Sequence, residues 1–241
     1  MSDPEVQPIF LFHLYRWDGT TPEQYREHYL NHHFHIGRRI PGAAWWWTFL
    51  NKNPKAGQEG KPVPDAFSIL AFESEEALAK APESEAWAEA NADNEGFVAH
   101  VDHYQVERVT LVREGERDTG ASDPAQQPIF LFGLYRWSGT TPEQYREKYL
   151  GDHVELGRAM PGSVWYYTFL NKNPKREQDG MPVPDAFAVL AFESEEALAA
   201  APQSDTWKAA MEDNVGFTGH FDTYSVERVV VIPEGERQLS S

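Results

Sequence analysis

The sequence predicts an α+β protein made of two tandem copies of one β-α-β-β-α-β domain. Three observations carry this. Residues 7–117 align with 127–237 at a constant offset of 120 without a gap, and about two-thirds of the aligned pairs are identical. Within each copy, short β-rich runs and segments of helical periodicity follow in the same order. The early strands of each copy are apolar on both faces, so a single copy would leave a large apolar surface in water.

The elements of the first copy can be justified in turn. Residues 8–17 hold Ile9, Phe10, Phe12, Tyr15 and Trp17, side chains that suit a pleated surface, and predict the first strand. Thr21 is placed to cap a helix, with Pro22 at its first position and Gln24 completing a capping box. The apolar stripe Tyr25, Tyr29, Ile36 and Ile40 has helical spacing, and Pro41-Gly42 ends it. Strands are expected over 43–50 (AAWWWTFL) and 66–73 (AFSILAFE). Ser74, followed by two glutamates, starts a second helical region that Pro82 divides, and a last strand covers about 100–112. This order is the ferredoxin-like arrangement. The domains are expected at 1–117 and 127–241, joined by a linker over 118–126 (DTGASDPAQ). Packing the two open sheet faces together, as a barrel within one chain, covers the apolar surface most economically. A barrel of about eight strands can hold one small ligand, whereas a solid sandwich would be filled by side chains.

Composition narrows the function. The 241 residues carry 21 Lys and Arg against 38 Asp and Glu, a formal charge of −17. Such a surface repels phosphate backbones and anionic lipid, so neither nucleic acid nor membrane is expected as a partner. There is no Cys, which removes disulfides, thiolate metal sites and Cys nucleophiles. The start, MSDPEVQP, is acidic where a secretory signal is basic, and no apolar run approaches the roughly 20 residues of a membrane helix. A soluble cytoplasmic monomer or homodimer is expected. No P-loop, GxGxxG or GxSxG pattern occurs, so nucleotide and nucleophile-elbow chemistry fall away.

The segment TPEQYREHYLNHHFHIGRRIPG resembles the EthD family of the dimeric α/β-barrel superfamily. The shared features are an acid-rich helix start, Tyr25, Tyr29, His33 and Pro41-Gly42, repeated as Tyr145, Tyr149, His153 and Pro161-Gly162. The resemblance implies a barrel of two ferredoxin-like halves, here fused in one chain. It leaves the activity open among cofactor-free monooxygenases, lactone isomerases, polyketide cyclases and haem enzymes.

Seven of the nine His lie in the first repeat, and both in the second, His153 and His220, have partners in His33 and His100. His33 continues the inward stripe of the first helix, where an imidazole suits acid/base work or, equally, a bond to a carbonyl near the helix end. His28, His32 and His35 share an outer face whose counterparts are Lys148, Asp152 and Glu155, a solvated charged face, so no metal is expected there. On the last strand His100, Asp102 and Tyr104 share a face and recur as His220, Asp222 and Tyr224; they form either an oriented acid/base group or a polar row that fixes loops. His13 stands against Gly133 in an otherwise apolar strand, which makes His13, Tyr15 and the opposing Tyr135 candidates in an asymmetric site. Trp45, Trp47, Trp165 and Tyr167 can stack on an aromatic ligand or simply form core. Asn51 and Asn171 begin a long loop over 51–65 and its repeat, a candidate flap or brace.

The reading that results is a cofactor-independent acid/base enzyme, a lyase, dehydratase, cyclase or isomerase. Its expected partner is a small hydrophobic or aromatic carbonyl or phenolic substrate. The alternatives are a non-catalytic barrel that binds haem or a hydrophobic ligand, and a cofactor-free monooxygenase.

Overall fold

A capping box opens the first helix of each repeat, as the sequence predicts. Thr21 Oγ1 accepts from the Gln24 backbone N–H while Gln24 Oε1 accepts from the Thr21 N–H, and Thr141 and Gln144 repeat both bonds. The computed structural model describes residues 7–54, 63–117, 127–175, 177–178 and 181–236; the expected linker 118–126 and loop residues 55–62 lie outside the described residues. The chain divides into two compact units, Met1–Val106 with Glu227–Ser241, and Glu107–Val226.

The first repeat comprises β1 (Ile9–Arg16), α1 (Pro22–His28), a π-helical turn (Tyr29–His33), α2 (Phe34–Gly37), β2 (Ala43–Asn51), β3 (Ala66–Phe72), α3 (Glu75–Lys80), α4 (Glu85–Asp93) and β4 (Val98–Val112). The second comprises β5 (Ile129–Arg136), α5 (Pro142–Lys148), a π turn (Tyr149–His153), α6 (Val154–Arg158), β6 (Ser163–Asn171), a short β7 (Glu177–Gln178) and β8 (Met181–Pro182) pair, β9 (Ala186–Phe192), α7 (Glu195–Ala200), α8 (Asp205–Asp213) and β10 (Thr218–Ile232). Pro82 lies in the 3-10 turn Ala81–Glu83 that divides α3 from α4, and Ser74 and Ser84 cap the two pieces. The π turns are not legible in the sequence. They interrupt what the apolar stripe describes as one helix, and such widened turns are uncommon and concentrate at functional positions.

In the first unit the sheet order is β4-β1-β3-β2-β10, and in the second β10-β5-β9-β6-β4. The β1–β3, β1–β4 and β2–β3 pairs are antiparallel, as are their counterparts in the second unit that involve β5, β9, β10 and β6. This is the expected α+β fold of tandem ferredoxin-like repeats in an eight-stranded sheet.

One face of the first unit's sheet packs on its helices. Leu14, Trp46, Leu50 and Leu70 meet Tyr25, Tyr29 and Phe34, joined by Val231 and Ile232 from the far end of β10. The close approach of α2 to β2 requires Gly37, where an added Cβ would collide with the Trp46 ring. The other face follows from register: Ile9, Leu11 and His13 stand beside Ala71, Ile69 and Phe67, which in turn stand beside Trp45, Trp47 and Phe49. All nine are buried. The second unit repeats the pattern, with Leu111 and Val112 of β4 in its helical core.

Candidate functional site

Pairing of β1 with β4 decides which strand face carries the polar row. Leu11 stands opposite Tyr104, His13 opposite Asp102, and Tyr15 opposite His100. Directly opposed residues of an antiparallel pair share a face. The row His100, Asp102, Tyr104 therefore lies with His13 and Tyr15 on the face away from the helices.

Asp102 links this group. Its Oδ2 accepts from the Tyr15 hydroxyl at 3.0 Å, and its Oδ1 lies 2.7 Å from His100 Nε2. The second repeat has the same arrangement, with Asp222 Oδ2 accepting from Tyr135 at 2.8 Å and Oδ1 lying 2.9 Å from His220 Nε2. The carboxylate selects the imidazole tautomer that carries its proton on Nε2, so Nδ1 is the basic nitrogen, and it stabilises the imidazolium once a proton is taken. His100 and His220 are exposed, while the aspartates and tyrosines are largely covered. Tyr104 packs instead on His13, their ring centroids 5.1 Å apart, and Phe67 meets His13 edge-on at the same distance. In the second repeat, burial and the Asp222 charge push the Tyr224 hydroxyl well above the ordinary tyrosine range.

The repeats differ at one place in this group. Gly133 stands opposite Asp222 where His13 stands opposite Asp102. A Cβ at Gly133 would meet the Tyr135 ring and hydroxyl at 3.7 Å, ordinary contact distance, so the site of the missing imidazole is not closed by backbone.

His33 and His153 do not join the other candidates. They lie on the helical side, where His33 Nδ1 is 2.8 Å from Asp93 Oδ2 at the end of α4, and His153 Nδ1 is 3.0 Å from Asp213 Oδ2 at the end of α8. Burial lowers the pKa of both imidazoles, partly offset by the aspartate beside each. Tyr29, stacked on His33 at 5.1 Å, is pushed up to about 12 by burial. Sequence reading missed Asp93 and Asp213. Their signal was an acid kept in both repeats at the C-terminal end of a helix, where the helix dipole opposes negative charge.

The remaining candidates fall on known elements. Trp45 and Trp47 share the face of His13, and the Trp45 indole donates to Gln7 Oε1 at 3.1 Å. Arg228 lies over the Trp47 ring at 5.8 Å. Trp165 donates to Gln127 Oε1 at 3.1 Å, and the Tyr167 hydroxyl accepts from the Glu114 N–H at 3.4 Å. Asn51 donates to the Pro64 carbonyl at 2.9 Å and accepts from the Asn53 N–H at 3.0 Å; Asn171 makes the same two bonds with Pro184 and Asn173. Both asparagines brace their own loops. No helix among the described residues is long and apolar enough to cross a membrane.

A family model described as the EthD domain matches residues 18–100 and again 138–220. No curated protein sequence matches the chain. Among solved structures, it is similar to a proposed monooxygenase from Lactobacillus acidophilus, with a TM-score of 0.57 and 12% identity over 95% of this chain and 97% of that one. A proposed monooxygenase from Fusobacterium nucleatum gives 0.62 and 7% over 96% and 95%. An anthrone oxidase-like protein gives 0.60 and 15% over 100% and 98%. At these identities the likeness is one of fold.

Proposed function

Because the chain belongs to the EthD family through each of its two repeats, we propose that it is an acid/base enzyme acting on a small hydrophobic, aromatic carbonyl or phenolic metabolite. The observation that carries this reading is the Tyr–Asp–His link on the face away from the helices, made with the same atoms in both repeats. A row that merely fixed loops would have no need of an exposed imidazole at its end. In the proposed step, His100 Nδ1 removes a proton from a carbon or hydroxyl next to the carbonyl or conjugated with it through an aryl ring. Asp102 holds the ring and offsets the charge of the imidazolium, and Tyr15 fixes the carboxylate. His13, Phe67 and Tyr104 form the adjoining aromatic surface. Dehydration, cyclisation, isomerisation and lyase cleavage all begin with such a proton transfer.

A second reading is favoured by the descriptions of the similar folds, two proposed monooxygenases and one anthrone oxidase-like protein. The methylene of an anthrone lies between two aryl rings and is acidified through them by the carbonyl across the central ring; once deprotonated, it can react with oxygen directly. One oxygen atom becomes the new carbonyl and the other leaves as water with the two methylene hydrogens, so no further reductant is required.

The test uses an anthrone as probe in deuterated buffer. The wild-type chain is expected to accelerate exchange of the acidic C–H, followed by NMR, and removal of both imidazoles in a His100→Ala/His220→Ala variant is expected to reduce the acceleration by about 10²–10⁴. Exchange no faster than in buffer, or unchanged in the double variant, would sink the proposed role. Without oxygen the assay reads proton removal alone; under air, oxygen uptake that keeps pace with proton removal supports the second reading, and exchange that far outruns uptake supports the first.

A further inference from the structure

Three imidazoles of the first repeat converge on one carboxylate. His28 Nε2 lies 2.9 Å and His32 Nε2 3.2 Å from Asp93 Oδ1, while His33 Nδ1 holds Oδ2 at 2.8 Å. The nitrogens of His28 and His32 and the carboxylate oxygen all fall within 4.8 Å of one another. His28 and His32, four apart, share a helix face in any case; the π turn over Tyr29–His33 widens the backbone so that His33, five residues after His28, reaches the same carboxylate. Asp93 is also the last residue of α4, where the negative end of the helix dipole makes a carboxylate unfavourable unless a cation faces it.

The second repeat shows what that cation can be. There Lys148 replaces His28, and its ammonium sits 2.6 Å from Asp213 Oδ1 and 3.6 Å from Asp152, the counterpart of His32. The half-buried His153–Asp213 bond is kept. Over residues 31–40 the two copies share only His33, Gly37 and Arg38, as His153, Gly157 and Arg158. The change from Asp152 to His32 falls in this divergent stretch, whereas the change from Lys148 to His28 is the single difference between residues 21–30 and 141–150.

We propose that His28, His32 and Asp93 form a binding site for a divalent transition metal of the zinc class, which takes the place that Lys148 fills in the second repeat. Two imidazoles and one carboxylate are the donor set of such ions, and hard cations such as calcium prefer six or more oxygens. In a tetrahedral zinc site with bonds of about 2 Å, neighbouring donor atoms stand about 3.3 Å apart, close to the two His–Asp separations here. His33 orients the carboxylate from its other oxygen, as outer partners of metal ligands do. The exposed side of His32 leaves a fourth position for water. The ion ties the helix carrying α1 to α4, and the chain's charge of −17 favours its capture.

The experiment is calorimetric titration of metal-stripped full-length chain with zinc chloride, with metal content read by mass spectrometry after dialysis. One tightly held ion per chain is expected, accompanied by a raised Tm. His28→Lys, which copies the second repeat and so keeps a residue the fold accommodates, is expected to lose that ion together with the zinc-dependent rise in Tm. His32→Ala is expected to weaken binding by more than about ten-fold. The absence of stoichiometric binding overturns the proposal, as does full retention of the ion in either variant.

Discussion

His33 illustrates how a single side chain can couple packing to pH. Its imidazole is buried against Tyr29 and Asp93, with His28 and His32 on the same carboxylate, and burial holds its pKa below the ordinary value of about 6.5. As pH falls below about 6.5 the unfolded chain takes up the proton first, so the folded state loses stability down to the lowered native value and then levels off. Above about 6.5 both states are neutral and the contribution is complete. His153 acts with the same sign. Urea unfolding is therefore expected to show lower stability at pH 5.5 than at 7.5, roughly the window of imidazole titration. A His33→Asn variant should have a shallower dependence; a slope equal to that of the wild type would contradict the assignment. The identity of His33 as a buried helix-stripe residue was legible from its spacing after Tyr25 and Tyr29. Its partner was not, because Asp93 lies 60 positions away and no local pattern links a helix end to another helix.

The elements were the most legible level. Thr21, Pro22 and Gln24 act only on their own turn, so the sequence alone places the start of α1. Removing the cap hydroxyl in Thr21→Ala is expected to cost about 1 kcal/mol of stability, measurable by denaturant titration, with Thr141→Ala giving a similar loss in the second repeat. An effect near zero in both would mean that packing of Tyr25 and Tyr29, rather than the cap, fixes that end. The π turns escaped because an apolar stripe tolerates one extra residue. Tyr25, Tyr29 and Ile36 are all buried although the turn over Tyr29–His33 is widened. Strand faces escaped for a related reason. Alternation groups His100 with Asp102, but only the register against β1 says that they stand with Tyr15 rather than with the helices.

At the scale of the whole chain, the sequence repeat and the compact units have different boundaries. The repeat puts residues 227–232 with the second copy, yet Val231 and Ile232 pack in the helical core of the first unit with Trp46 and Leu50. Leu111 and Val112 do the converse in the second unit. An Ile232→Ala change is accordingly expected to destabilise the first unit by about 2–5 kcal/mol. Hydrogen exchange should report it as faster exchange of amides in β2 and α1, although the substitution lies more than 180 residues from them in sequence. Faster exchange limited to residues 127–226 would contradict this division.

The sequence by itself determined what depends on neighbours along the chain: two copies, their β-α-β-β-α-β order, the caps, the apolar stripes and the residue types available for acid/base chemistry. Only the tertiary structure decided which of those residues meet. It joined Tyr15, Asp102 and His100 across two strands, sent His33 to Asp93 on the opposite side of the sheet, and gathered His28 and His32 on that same carboxylate. Periodicity assigns a side chain to a face, whereas strand register and helix packing, set by contacts among residues distant in sequence, bring two faces to one point.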